Sequence, residues 1–225
     1  MSEKTDNKAR RIKALKEIIK KLHAGTPPEE VKQELTELVR RTDSSEIAAM
    51  EQELIAEGMP VEEVQALCDL HSQVLRDLIV ESSPRQTVPG HPIDTLRAEN
   101  DALTELVAEM RGILAEIKAL EDDTNAAPRV ERLRESYNSL MDVEKHYQRK
   151  ENLLFPCLER HGVTGPSKVM WGKDDEVREL LKAFGEALAE TEAKSGEWKI
   201  VAGTVAAPAL DAVEETVSYT HLRAH

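Results

Sequence analysis

Apolar side chains recur every three or four residues along most of the chain, which is the spacing of amphipathic helices. The stripes of the first part continue to about residue 80, and the first of them consists of Ile12, Leu15, Ile18, Ile19 and Leu22. A second series begins near residue 96 and includes Leu103, Leu106, Val107, Met110, Ile113, Leu114 and Ile117. The pattern predicts an all-α protein with helices on both sides of residues 81–92.

The segment from Glu81 to Pro92 interrupts this periodicity. Its sequence, ESSPRQTVPGHP, contains three prolines, one glycine and two serines, which is typical of a linker. The interruption predicts a small helical domain over residues 1–80, a linker over residues 81–92 and a helical bundle over residues 93–217.

The bundle part of the chain is expected to contain four helices, the last of them incomplete. A long helix is predicted from about Pro128 to His161 with a bend at Pro156, because proline disrupts the helical hydrogen bonds. The next helix should run from Ser167 to about Lys194, and residues 198–217 form a weaker, interrupted stripe. The last eight residues, SYTHLRAH, break the pattern, so residues 218–225 are expected to be an unrelated tail.

Composition narrows the classes of function. The 225 residues include 43 acidic and 30 basic side chains, a formal charge of −13, and only 3% are aromatic. This balance argues against binding to nucleic acid or to anionic membrane surfaces, both of which favour clustered basic residues. The two cysteines, Cys68 and Cys157, show no paired spacing. No secretory signal or membrane-spanning run is recognised, so we expect a cytoplasmic protein with free thiols.

No catalytic motif is present in the sequence. It lacks a nucleophile elbow, a phosphate-binding glycine loop and a dinucleotide fingerprint. We therefore expect a protein that is not an enzyme.

The most informative stretch runs from Val143 to Gly162, VEKHYQRKENLLFPCLERHG. It places His146 in a charged helical run, Glu151 five residues later, and an apolar block that ends at Pro156. A histidine and a carboxylate beside a buried block are residues that could bind a metal or transfer protons. The alternative is that His146 is a half-exposed helix histidine and Glu151 a solvated charge.

The run HYQRKENLLFPCLERHG resembles the central motif of hemerythrin-like (HHE cation-binding) domains. Two further stretches are similar to that family's first and third helices, HPIDTLRAEN from His91 and GPSKVMWGKDDEVRELLKAF from Gly165. The first 80 residues resemble the domain of unknown function 438, which often precedes a hemerythrin-like domain and is followed by a PAS sensor domain. The resemblance implies an up-down four-helix bundle and a non-haem iron site.

The chain departs from the family at its ligand positions. The first-helix histidine falls at Asn100, the glutamate after the central histidine at Lys150, and the third-helix histidine at Asp174. At about 100° per residue, Lys150 shares a helix face with His146, whereas Glu151 lies about 140° away. If the bundle holds a metal, the resemblance leaves His146, Glu151 and Asp174 as the candidate ligands, with Lys150 turned outward. The alternative is an ion pair between Lys150 and Asp174 in place of the metal.

Three functions are compatible with these residues. The first is a signalling or sensing protein whose bundle binds a metal or a small gas and whose N-terminal domain couples binding to a protein partner. The second is a non-enzymatic helical interaction module with a vestigial metal site. The third, iron handling or repair of iron centres, is implied only by the resemblance to the family.

Overall fold

The computed structural model describes residues 2–39, 44–61, 64, 90–192 and 194–223. Its elements in chain order are α1 (Ser2–His23), α2 (Pro28–Val39), α3 (Ser44–Ala56), α4 (Pro92–Lys118), α5 (Ala127–Leu140), α6 (Val143–Arg149), the π-helical turn π1 (Lys150–Leu154), α7 (Phe155–Arg160), α8 (Gly165–Glu190), α9 (Ser195–Val201), a second π-helical turn π2 (Ala202–Ala206) and α10 (Ala207–Arg223). Extended pairing within these ranges is limited to one bridge between Asn125 and Lys194. The prediction of an all-α protein is confirmed.

Backbone contacts divide the chain into two compact units. The N-terminal unit comprises Met1–Gln86, Glu151–Gly172 and His221–His225, and the bundle unit comprises Thr87–Lys150 and Lys173–Thr220. The predicted linker at residues 81–92 lies mostly outside the described residues, so its position and the proposed domain boundaries stay predictions.

In the N-terminal unit, α1 contacts both α2 and α3, and Ile12, Leu15, Ile18 and Ile19 of its apolar stripe are buried. Burial of this stripe stabilises the helices, because apolar area is removed from water. Gly25 and Gly58 lie just after α1 and α3 with φ angles of +92° and +95°, a conformation that ends helices and favours glycine. The buried apolar residues of the unit include Ile12, Leu15, Ile18, Ile19, Val31, Met50, Leu54 and Val64.

The bundle unit is built around α4, which contacts α5, α6 and α9. This helix begins at Pro92, and the His91 Nδ1 atom caps it by accepting a hydrogen bond from the Ile93 amide at 3.2 Å. The buried core includes Val107, Met110, Ile113, Leu133, Leu140, Tyr147, Leu181, Phe184, Trp198 and Leu210. The aromatic rings of Tyr137 and Phe184 pack edge to face with centroids 5.3 Å apart.

The prediction of one continuous helix from Pro128 to His161 is wrong. The chain breaks at Met141–Asp142, where the Glu144 amide donates to the Met141 carbonyl at 3.2 Å in a tighter turn. A second irregularity, π1, ends at Leu154, two residues before Pro156. Proline removes one helical hydrogen bond and clashes with the carbonyl four residues earlier, so a locally widened turn accommodates it.

The prediction that the last helical stretch ends near Val217 is also wrong. Helix α10 continues to Arg223, and α9, π2 and α10 follow one another without an intervening loop. The apolar stripe looks weak here because its members are small: Ala202, Ala206 and Ala209 are buried although they carry only a methyl group. Alanine is a strong helix former, so a helix persists without large apolar side chains.

Gly185 on α8 packs closely against Tyr137 on α5. A Cβ atom at Gly185 would lie 2.5 Å from the Tyr137 hydroxyl oxygen, which donates a hydrogen bond to the Leu181 carbonyl at 2.9 Å. We expect Gly185→Ala to lower the free energy of unfolding by about 1–3 kcal/mol in urea denaturation, because overpacking outweighs the better helix propensity of alanine.

Two variants test whether this contact is the cause. Gly112→Ala on α4 should raise the free energy of unfolding by about 0.5–1 kcal/mol, because nothing lies within 4 Å of its Cβ position. In a Tyr137→Phe background the cost of Gly185→Ala should shrink. An equal cost in both backgrounds would show that the hydroxyl contact is not responsible.

Candidate functional site

Four polar side chains of the bundle unit are buried at the positions where the family resemblance places ligands. They are Asn100 on α4, His146 on α6, Lys150 at the start of π1 and Asp174 on α8. Burial of polar groups is costly unless they find partners. Their contacts therefore decide what the interior of the bundle can bind.

His146 is held by Glu99, a residue that the sequence analysis missed. The His146 Nδ1 atom lies 2.9 Å from Glu99 Oε2, and the Arg149 guanidinium donates to the other oxygen of the same carboxylate. Glu99 precedes Asn100 on α4, so its proximity to the family's first ligand position was the available signal. A carboxylate that orients a histidine from Nδ1 is the arrangement found behind many metal-binding histidines.

His146 is neutral at ordinary pH. Burial and the nearby charge of Lys150 lower its pKa to about 4, although the hydrogen bond to Glu99 opposes that shift. A neutral imidazole beside a carboxylate donates from Nδ1, which leaves a lone pair on Nε2. That Nε2 atom is buried and has no hydrogen-bond partner among the described residues.

Lys150 and Asp174 form an ion pair inside the bundle unit. The Lys150 ammonium donates to Asp174 Oδ1 at 2.7 Å, and both side chains are 1% exposed. The same ammonium lies 4.6 Å from the centroid of the Tyr147 ring, in cation–π geometry. The buried carboxylate and the aromatic face compensate the ammonium for its lost hydration, and this inward position of Lys150 is the one expected of the alternative without a metal.

Tyr147 ties this region to the last helix. Its hydroxyl lies 2.8 Å from Thr216 Oγ1 on α10, and Thr216 donates to the Val213 carbonyl at 2.9 Å. Burial is the main cause that raises the pKa of Tyr147, with the negative charge of Asp174 adding to the shift. The phenol is therefore protonated and serves as a packing and hydrogen-bonding group.

Asn100 completes the set from α4. Its amide nitrogen donates to the Val217 carbonyl at 3.4 Å, while its Oδ1 atom is buried without a hydrogen-bond partner among the described residues. This contact joins α4 to α10. It uses the amide donor of an asparagine at the position where the family resemblance places a histidine.

The three predicted ligands are not gathered in one unit. His146 and Asp174 belong to the bundle unit, whereas Glu151 begins the second segment of the N-terminal unit. Both His146 and Glu151 are buried, so the alternative of a half-exposed histidine and a solvated glutamate is wrong. Within the described ranges, no group of three or more His, Cys, Asp or Glu residues could hold a metal ion. The assignment of these residues as ligands stays a prediction.

The residues of the bundle interior do not fit the metal centre that the family resemblance implies. A divalent cation requires neutral or anionic donors, and here an ammonium group contacts the Asp174 oxygen at 2.7 Å. Like charges repel strongly in a buried site. The pair of Lys150 and Asp174 is the arrangement that the sequence analysis gave as the alternative to a metal.

The depressed pKa of His146 predicts a loss of stability in acid. Its pKa is about 4 in the folded protein against 6.5 for an ordinary histidine, so below pH 6.5 the unfolded chain binds a proton that the native state does not. The free energy of unfolding should fall by about 2–3 kcal/mol from this residue between pH 6.5 and pH 4.5, with no contribution above that window.

Urea denaturation of the wild type and of His146→Gln at pH 7.5 and pH 4.5 measures this effect. The other ionisable residues are the same in both proteins, so the difference between the two losses isolates the contribution of the histidine. We expect the larger loss in the wild type. Equal losses would mean that His146 is not held in its neutral form.

Comparison with protein families assigns both parts of the chain. Residues 91–223 match the family described as hemerythrin HHE cation binding domain, and residues 15–81 match a family of unknown function, DUF438. Comparison with curated proteins and with solved structures gives no match. Across the described residues, no helix is long and apolar enough to cross a membrane. The first match covers more than half of the 225 residues and reaches into the stretch expected to be an unrelated tail. The chain therefore belongs to the hemerythrin HHE cation-binding domain family.

Proposed function

We propose that this chain is a non-enzymatic helical module of a cytoplasmic signalling system, and that its hemerythrin-like bundle acts without a resident metal ion. The observation that carries the proposal is the buried ion pair between Lys150 and Asp174, 2.7 Å apart. The Lys150 ammonium of this pair places a positive charge beside His146. The family resemblance makes His146 a metal ligand, so the protein itself supplies a cation next to that ligand position.

The electrostatics of the bundle interior support a metal-free state. Lys150 supplies a full positive charge beside His146, whose pKa it lowers. Removing one partner of a buried ion pair leaves an uncompensated charge, so the pair resists replacement by an external ion. A cation entering from solvent would have to displace Lys150 from Asp174 and from the Tyr147 ring.

The same residues give little support to catalysis. Burial raises the pKa of Tyr147, so its phenol is a poor base at ordinary pH. His146 is neutral, but its Nδ1 atom is engaged by Glu99 and the residue is buried. General acid–base catalysis needs a group within reach of a substrate. We therefore assign these side chains to positioning and packing.

The order of the two matched families supports a role in signal transmission. A segment matching DUF438 comes first and the hemerythrin-like segment follows. We propose that the two segments couple to a protein partner or to a PAS sensor domain by changes in helix packing. The net charge of −13 disfavours nucleic acid and anionic membranes as partners.

Metal analysis of the wild type tests the proposal. The full chain is produced in iron-supplemented medium, and its metal content and optical spectrum are measured under air and under anaerobic conditions. We expect far less than one metal ion per chain and identical featureless visible spectra. One or more iron ions per chain, with a visible band that changes on exposure to oxygen, would overturn it.

A second candidate is a metal or oxygen sensor with one cation on His146. The observation that favours it is the buried Nε2 atom without a hydrogen-bond partner among the described residues, on a ring oriented by Glu99. The same metal analysis separates the two candidates, because only the sensor requires stoichiometric metal in the wild type.

A further inference from the structure

We propose that a cleft between α5, α6 and α8 of the bundle unit is a binding site for one small, uncharged, apolar molecule. The cleft has a volume of about 430 Å³, which lies within the range of about 300–1,000 Å³ found for small-molecule sites. All of the residues that line it belong to the bundle unit. The inference goes beyond the proposed function and does not depend on whether the bundle holds a metal ion.

The lining of the cleft is mostly apolar. Its larger apolar and aromatic members and one alanine are Tyr137, Met141, Val143, Tyr147, Leu181 and Ala189. Two of these residues reach the surface, since Met141 is 40% exposed and Ala189 is exposed as well. A methionine side chain is unbranched and polarisable, so it adapts its shape to an apolar neighbour. The cleft therefore offers apolar contact area that a ligand would remove from water.

The charged residues of the lining balance one another. They are two acids and two bases, Glu144, Glu186, Arg178 and Lys182, so their formal charges sum to zero. Arg178 donates to Glu144 from Nε at 2.8 Å and from Nη2 at 3.1 Å, and to Asp175 from Nη1 at 2.7 Å. The hydrogen bond from Arg178 is the main cause that lowers the pKa of Glu144. A charged ligand would therefore find no net opposite charge at the cleft.

The two tyrosine hydroxyls of the lining also have partners. The Tyr137 hydroxyl donates to the Leu181 carbonyl at 2.9 Å, and the Tyr147 hydroxyl lies 2.8 Å from Thr216 Oγ1. A polar ligand would have to break one of these contacts or bury its own polar groups without a partner, and both cost free energy. An uncharged apolar molecule avoids this cost, which is why we assign the cleft to that class.

The test is a fluorescence titration of the full chain with N-phenyl-naphthylamine, an uncharged dye whose emission rises in apolar surroundings. Anilinonaphthalene sulfonate has the same ring system and one negative charge, so a comparison of the two dyes isolates the effect of charge. We expect saturation at one uncharged dye molecule per chain. The affinity for the sulfonate should be at least about tenfold weaker, because its charge would lose hydration without gaining a matching cation.

Two substitutions in the lining should weaken binding of the uncharged dye. Ala189→Leu fills part of the cleft, so the affinity should fall at least about tenfold, and Met141→Ala removes apolar contact area, so it should fall about three- to tenfold. Two controls should bind the dye as the wild type does. Ala183→Leu makes the same change at an exposed position of α8 outside the lining, and Leu153→Ser removes an exposed apolar side chain of the N-terminal unit.

The outcomes separate this inference from the proposed function. Unchanged affinity in both lining variants would overturn the cleft as the binding site, and so would loss of binding in Leu153→Ser alone. Equal or tighter binding of the sulfonate would overturn the uncharged class of ligand. If circular dichroism shows that Ala189→Leu does not fold, Met141→Ala decides, and wild-type affinity in that variant overturns the inference. Stoichiometric iron in the wild type would overturn the proposed function and leave the cleft unaffected.

Discussion

Asp174→Ala should lower the free energy of unfolding by about 3–5 kcal/mol, one of the two largest effects that we expect from a single substitution in the bundle unit. The Lys150 and Asp174 side chains are almost completely buried. Removal of the carboxylate takes away the 2.7 Å acceptor and the opposite charge of a buried ammonium group. Loss of the opposite charge from a buried ion pair costs free energy.

Urea denaturation measured by tryptophan fluorescence can isolate this loss. The chain has two tryptophans, and Trp198 is buried in the bundle unit whereas Trp171 is half-exposed in the N-terminal unit. A Trp171→Phe background therefore leaves a reporter of the bundle unit alone. The exposed pair of Lys145 and Asp142 gives the matched control, because Asp142→Ala should cost less than about 1 kcal/mol.

The double variant Lys150→Met/Asp174→Leu separates the charge from the packing. Replacing both partners of a buried pair with apolar residues of similar volume is often neutral or stabilising. We expect this variant to recover most of the stability that Asp174→Ala loses. A small effect of Asp174→Ala, comparable with that of Asp142→Ala, would show that the ion pair is not buried in solution.

The second large effect is expected from Phe184→Ala. Phe184 on α8 is completely buried and packs edge to face against Tyr137. Truncation removes the aromatic contact and leaves a cavity that the helices can fill only in part, so the free energy of unfolding should fall by about 3–5 kcal/mol.

The same fluorescence assay measures this variant. Phe184→Leu should cost much less than Phe184→Ala because it retains most of the apolar volume. Met141→Ala, at an exposed position between α5 and α6, should change stability little. Similar losses for Phe184→Ala and Met141→Ala would contradict the placement of Phe184 in the core.

The helical fold could be predicted from the sequence because it depends on periodicity. Stripes such as the one through Val107, Met110 and Ile113 repeat at helical spacing, and the same residues form the buried core. The helical stretch formed by π2 and α10 is less clear in the sequence. Its buried positions 202, 206 and 209 are alanines, which contribute little to a hydrophobic stripe.

The candidate site was predicted only in part. From sequence alone, a charged residue can be either exposed to solvent or buried in an ion pair. Helical spacing places Lys150 on the face of His146, and a lysine on its own would be expected in solvent. Its partner Asp174 is 24 residues away, so the pairing depends on how α8 packs. Glu99 was missed for the same reason. It lies on another helix, 47 residues before its partner His146.

The π-helical turn π1 also escapes analysis by a regular helical wheel. It spans Lys150–Leu154, so the faces calculated at about 100° per residue do not continue through Glu151. Regular geometry places Glu151 about 140° away from the face of His146. Its burial agrees with a local change in helical register.

Anomalous diffraction from crystals of the wild-type chain, grown with Fe²⁺ under anaerobic conditions and recorded at the iron absorption edge, tests the metal-free bundle most directly. We predict no anomalous peak in the bundle unit and a Lys150 ammonium in contact with Asp174, as in the 2.7 Å pair described here. A strong peak beside His146 Nε2, with Lys150 displaced from Asp174, would contradict the account.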